Sequence, residues 1–223
     1  GQCTRTGMSE CPAGAWPALP PEAAGGRVLY VQASASAEGA DGTVEHPYPT
    51  LVGALQQAPA GAWVVLAEGV YAESFTLARS MHILGACAAR VVVSLPSGSP
   101  YTVAIAGSGA GVTLDLAGLT ARGGGVRASG GARVIAQRVR VEDAVTNGLV
   151  AAGQGSSVTA TDVVVTRTTT AGTTLTHAVA VTDGASATLT RVALTQVAGV
   201  GIFATGQGSS ADVSDVVIGP STA

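Results

Sequence analysis

Apolar positions recur in the second half of the chain in units of 20 to 29 residues. A two-residue step marks each unit, at Gly118-Leu119, Arg138-Val139, Asp162-Val163, Arg191-Val192 and Asp215-Val216, with successive spacings of 20, 24, 29 and 24 residues. Each step lies seven residues after a glycine, so a turn and the strand after it recur as one unit. Periods of this length are typical of stacked coils.

Aligned on this step, the units place apolar residues in the same four columns. Alternate residues of a strand face the same side, so positions 114 and 116 form one strand and positions 119 and 121 another, with a corner between them. The four inward columns are Leu114/Val134/Val158/Ala187/Ala211, Leu116/Ala136/Ala160/Leu189/Val213, Leu119/Val139/Val163/Val192/Val216 and Ala121/Val141/Val165/Leu194/Ile218. Another strand follows in each unit. The pattern therefore predicts an all-β parallel solenoid of about six coils, with an antiparallel meander as the alternative.

The pattern in the first part of the chain differs from this repeat. Residues 1–28 form a Cys- and Pro-rich leader, and residues 29–223 form the solenoid domain. Within that domain, Leu51, Ala54, Leu55 and Ala58 have the spacing of one buried helix face. Thr50 is the predicted N-cap, and Gly61 is predicted to stop a helix near residues 50–60.

The opening segment resembles that of pectin lyase-like right-handed parallel β-helix proteins, of a bacterial surface or secreted type. The resemblance rests on His46-Pro47-Tyr48-Pro49-Thr50-Leu51, Val64-Val65-Leu66, Gly69-Val70-Tyr71 and Gly85. It implies a right-handed coil whose short helix covers the open N-terminal end. The family includes lyases, hydrolases, adhesins and domains without known activity, so the fold alone does not decide the function.

Only fragments of a catalytic site are present. A lyase of this shape needs carboxylates around calcium beside a base, which neutralise the acidic sugar before proton removal. Glu142 and Asp143 follow a predicted strand, with Arg122, Arg167 and His177 on neighbouring units, and these five residues are the weak catalytic candidates. His177 stands where other units have glycine, which favours a structural role.

Two sets of side chains are predicted to face outward. The step itself alternates in charge, through Arg138, Asp162, Arg191 and Asp215, and we interpret it as a structural ladder that fixes the register. A second column, Arg127/Val150/Val179/Phe203, is largely apolar although it faces solvent. Such a strip marks a ligand or partner surface, unless flanking segments such as residues 167–176 cover it.

Composition narrows the classes of partner. Eleven dispersed arginines and a net charge of -3 argue against nucleic acid, and no apolar run is long enough to span a membrane. No cofactor or metal motif is found. A Cys11–Cys87 disulfide that fastens the leader to the body is favoured over Cys3–Cys11 or three unpaired cysteines, and it indicates a secreted, periplasmic or surface location.

Two functions remain at this level. The favoured one is a non-catalytic module for structure, adhesion, or glycan or protein binding through its lateral strand face, and the alternative is a polysaccharide lyase acting on acidic glycans. The segment after Asp212 resembles only part of a coil. We expect its open end to be covered by another subunit or by a longer chain.

Overall fold

The protein is mostly β-structure in stacked parallel strands, as the solenoid prediction requires. The computed structural model describes residues 11, 13–100, 102–170 and 175–220. The helices are a 3-10 turn at Pro21–Ala23 and α1 at Leu51–Gln57. The strands are β1 Val28–Val31, β2 Trp63–Leu66, β3 Gly69–Tyr71, β4 Phe75–Leu77, β5 Met81–Gly85, β6 Val91–Ser94, β7 Val103–Ser108, β8 Thr113–Ala117, β9 Thr120–Arg122, β10 Gly125–Ser129, β11 Arg133–Gln137, β12 Arg140–Glu142, β13 Asn147–Ala152, β14 Ser157–Thr168, β15 His177–Thr182, β16 Ser186–Val197, β17 Val200–Thr205 and β18 Ser210–Ile218.

The strands form three faces. The first face runs through β1, β2, β5, β8 and β11 to the first half of β14, and the second runs from the other half of β14 through β12, β9, β6 and β3. The third face is a separate sheet in the order β17, β15, β13, β10, β7 and β4. The long strands β14, β16 and β18 each span the first two faces, since they pair with one another along most of their length. The antiparallel alternative is wrong, because the pairings of these strands are parallel.

The four predicted inward columns are confirmed along most of the stack. Leu114, Val134, Val158 and Ala187 pair in register from β8 to β16, and all four are buried. Their aliphatic side chains fill one continuous core that extends to the helix residues Leu51, Ala54 and Leu55.

The corner between the first two faces has left-handed backbone geometry. Gly118 has a φ of 65°, and the charged residues at the same step have φ values of 51° at Arg138, 55° at Asp162, 52° at Arg191 and 53° at Asp215. This conformation turns the chain within a single residue. The charged step found in the sequence therefore marks a left-handed corner of the backbone, and the side chains at that corner also form a row of charges.

Helix α1 begins where the sequence predicts and ends earlier. The Thr50 hydroxyl accepts a hydrogen bond from the Gly53 amide at 3.2 Å, which confirms the N-cap. The helix stops at Gln57 rather than near Gly61, because Pro59 disfavours helical geometry at the residue before it.

The leader is fastened to the body by the predicted disulfide. Cys11 and Cys87 are bonded, with their Cα atoms 5.4 Å apart. The described part of the leader lies on the first face, where Trp16 makes an edge-to-face contact with Tyr30 and Ala23 is buried. Cys3 and its predicted pairings lie outside the described residues.

Candidate functional site

Four of the five catalytic candidates meet at the end of the second face. Arg122 and Glu142 pair on neighbouring strands β9 and β12, and Asp143 and Arg167 occupy the left-handed corner that follows, with φ values of 55° at both. Arg140, two residues before Glu142, completes the group. We call these five residues the arginine cluster.

Every carboxylate oxygen in the arginine cluster accepts a hydrogen bond or ion pair from an arginine. Glu142 Oε1 lies 2.9 Å from Arg140, and its Oε2 lies 3.2 Å from both Arg122 and Arg167. Arg167 also donates from Nε to Asp143 Oδ1 at 2.7 Å and from an Nη to Oδ2 at 3.2 Å. Both acids are held by the arginines, and Glu142 is enclosed while the Asp143 side chain stays 44% exposed.

The electrostatics of Glu142 follow from this enclosure. Its side chain is only 7% exposed, whereas those of the three arginines are 38–46% exposed. Burial acts to raise the pKa of Glu142, but hydrogen bonds from Arg140 and Arg122 and the charge of Arg167 outweigh burial and hold that pKa below its ordinary value. The hydrogen bond to Asp143 in turn raises the pKa of Arg167. These two shifts keep Glu142 and Arg167 ionised at neutral pH.

These contacts limit the chemistry that the arginine cluster can perform. A lyase base or a calcium ligand needs a carboxylate or basic group with a free lone pair facing the substrate. Among the described residues, no group of three or more His, Cys, Asp or Glu could hold a metal ion. The remaining donors are the outward N–H groups of half-exposed arginines, which suit an anionic group.

His177 does not join the arginine cluster in the structure. Its ring stacks on Phe203 with centroids 4.4 Å apart, and its Nδ1 lies 2.9 Å from Asn147 Oδ1. Burial lowers the pKa of His177, which favours the neutral ring. His177 pairs with Asn147 and Val200, so the prediction that it stands at the glycine position is wrong.

The predicted strip on the third face is out of register by one residue at β15, and its other three positions are correct. Val150 pairs with Ala180, and Ala180 pairs with Phe203, so the outward column is Arg127, Val150, Ala180 and Phe203. Val179 pairs with Leu149 and is buried in the core, and its assignment as a binding residue is wrong. The corrected strip is headed by the exposed Arg127 and ends at the half-buried Phe203. Residues 171–174 of the segment expected to cover it lie outside the described part.

The charged ladder forms one close ion pair. Arg191 donates to both oxygens of Asp162, at 2.7 and 2.8 Å, and this contact lowers the pKa of Asp162. Arg138 and Asp215 act on their neighbours through charge at longer range. These residues line the corner of the coil, consistent with a structural role.

One polar group on the first face has no counterpart among the predicted sites. The ring of Trp63 stacks on His82 with centroids 4.2 Å apart, and His82 Nδ1 lies 2.7 Å from Asp115 Oδ2. All three side chains stand in one outward column, because Trp63 pairs with His82 and His82 with Asp115. The sequence could have indicated this group, because Asp115 lies between the inward Leu114 and Leu116 and therefore faces outward.

Comparisons of the chain with protein-family models, with curated proteins and with solved structures return no match. In the described residues, no helix has the length and apolar character needed to cross a membrane.

Proposed function

We propose that this chain is a non-catalytic module that binds an acidic glycan at the corner between its second and third faces. We further propose that the module is a right-handed β-helix of the pectin lyase-like type, with about six coils and with α1 covering the N-terminal end. The Cys11–Cys87 disulfide supports a secreted, periplasmic or cell-surface location, because such bonds persist in oxidising compartments.

The observation that carries the proposal is the charge of this corner. Arg122, Arg140 and Arg167 lie at the end of the second face, and the exposed Arg127 lies on the adjoining strand of the third face. We call these four residues the basic corner. Its four guanidinium groups exceed the two carboxylates of Glu142 and Asp143 and leave a local charge of +2, on a chain whose net charge is -3.

The corrected strip continues from the same surface to the half-buried Phe203, and Ala180 within it is buried. Arg127 and Phe203 are separated by Val150 and Ala180, three strand spacings or roughly 14 Å along the stack. A guanidinium group at one end and an aromatic ring at the other suit an extended sugar chain, since an acidic group pairs with arginine and a pyranose face packs on a ring.

Titration calorimetry with oligogalacturonate and with a neutral oligosaccharide of equal length tests the proposal. We expect the acidic ligand to bind more tightly, and we expect its affinity to fall as salt rises, because partly exposed charges are screened. The double variant Arg122→Gln, Arg127→Gln should weaken binding about tenfold, since two exposed charge contacts are lost.

Arg133→Gln is the matched control, because Arg133 is exposed on the first face, away from the basic corner. Equal affinity of the double variant and the wild type would refute the assignment of this surface. Formation of an unsaturated product from the same substrate, with or without calcium, would instead establish the alternative lyase activity and overturn the non-catalytic proposal.

A further inference from the structure

A groove lies on the first face, between the leader and the outward side chains of the sheet. Its volume is about 400 Å³, within the range of small-ligand sites. Pro20 and Glu22 of the leader form one side. The other side and the floor come from the outward column on β2, β5, β8 and β11, ending at Gln137 and Arg138. We call it the leader groove.

The polar side chains of the leader groove are held in fixed positions. The stack with Trp63 orients the His82 ring, and the contact between Nδ1 and Asp115 anchors it from the other side. His82 and Asp115 keep 30% and 31% of their side-chain surface exposed, whereas Asp115 Oδ1 itself is buried and has no hydrogen-bond partner among the described residues.

The leader groove is lined by both hydrogen-bond donors and hydrogen-bond acceptors. Glu22 and Asp115 offer acceptors, Arg138 offers donors, and Gln137 offers both. The two carboxylates oppose a strongly anionic ligand, and Arg138 opposes a strongly cationic one. A hydroxyl group donates one hydrogen bond and accepts others, so a ligand with many hydroxyl groups matches this lining. The apolar surface between the polar groups, from Trp63 and Ile135, suits the C–H faces of a sugar ring.

We propose that the leader groove is a binding site for a neutral saccharide of about disaccharide size. The site is separate from the basic corner, because it lies on the first face, whereas the basic corner lies between the second and third faces. The inference stands on this groove alone and does not rest on the acidic-glycan proposal.

Calorimetric titration with maltose, cellobiose and lactose tests the inference. We expect at least one of these disaccharides to bind with a stoichiometry of one. Glu22→Gln and Gln137→Ala should each weaken that binding about five- to tenfold, because the first replaces a charged acceptor oxygen with an amide donor and the second removes a hydrogen-bonding side chain. Both residues are exposed, so neither substitution should change the fold or the melting temperature.

Thr161→Ala is the matched control, since Thr161 pairs with Gln137 on the next strand and lies outside the groove. It should leave affinity unchanged. In a Trp16→Phe background Trp63 is the remaining tryptophan of the two in the chain, and its fluorescence should change on binding. Absence of binding by all three disaccharides, or wild-type affinity in both groove variants, would overturn the inference.

Discussion

Glu142 illustrates how a single buried charge depends on its neighbours. Its carboxylate is nearly enclosed, and arginines engage both of its oxygens. A buried ion is stable only while its partners satisfy it, and removal of one partner leaves an uncompensated group. The partly exposed arginines are screened by solvent, which reduces the contribution of each contact.

We predict that Glu142→Gln lowers the free energy of unfolding by about 1–2 kcal/mol at neutral pH, a value reduced from that of a fully buried pair because the arginines are partly exposed. A folded-state pKa below the ordinary value of 4.5 means that this stabilisation is present above about pH 4.5 and is lost as the pH falls through the lowered pKa. Urea unfolding of both proteins between pH 3 and 7 should show the difference shrinking at the acidic end. The control is Glu45→Gln, at an exposed loop position. A difference that stays constant over this range would contradict the assigned role.

At the scale of the element, the corners between the faces are set by backbone geometry. Arg191 combines a left-handed backbone with the ion pair to Asp162. An L-residue in this region costs about 1 kcal/mol or more, whereas glycine adopts it readily. The exposed ion pair is screened by solvent and contributes little, so the backbone term sets the order of the substitutions.

We therefore predict an inversion of the usual order of substitutions at this corner. Arg191→Gly should be more stable than Arg191→Ala by about 1 kcal/mol, although alanine is normally preferred over glycine within regular structure. Thermal unfolding of the two variants measures the difference. The same pair of substitutions at Arg133, whose backbone in β11 is not left-handed, should show alanine as the more stable. Greater stability of the alanine variant at Arg191 would show that strain at the corner is negligible.

The register of the strands on the third face is a feature that the sequence did not predict correctly. The repeated step correctly aligned the first two faces, because one conformation recurs at each corner there. The third face was misaligned by one residue, since β13 and β15 are offset by 30 residues while β14 and β16 are offset by 29. The turn at 183–185 is one residue shorter than the turn at 153–156. Apolar residues lie on both sides of this strand, so periodicity alone could not expose the slip.

The sequence predicted part of the candidate site correctly. Arg122, Glu142, Asp143 and Arg167 were grouped correctly, because equivalent positions of neighbouring coils stack. Arg140 was not among the predicted site residues, because its contact with Glu142 depends on how the two side chains fold toward each other. His82 was not among the predicted site residues, because the leader that forms the other side of its groove has no repeat to place it.

At the scale of the whole molecule, the leader connects strands that otherwise contact only their neighbours. In a stack of coils each unit touches the next, and stability is close to a sum of local terms. The groove shows the leader lying beside side chains from β2, β5, β8 and β11, four successive strands of the first face. The disulfide holds it there across a separation of 76 residues.

We predict that the double variant Cys11→Ser, Cys87→Ser releases the leader and leaves the solenoid folded. The chain-entropy estimate for a loop of this length is about 4 kcal/mol, which is an upper bound because only the leader is freed. Limited proteolysis should cut near Trp16 in the variant and not in the oxidised protein, while the far-ultraviolet circular dichroism stays similar. Equal protection of the leader in both proteins would show that its packing, rather than the disulfide, holds it in place.

Because the leader is held along the axis of the stack, it also sets the order in which the strands unfold. The strands under the leader must open together, because exposure of any one of them disturbs the contacts that the others share with it. Strands beyond the leader, such as β16 and β18, can open one after another. Their backbone amides should therefore exchange with solvent progressively, and those of β2 to β11 on the first face as one cooperative unit.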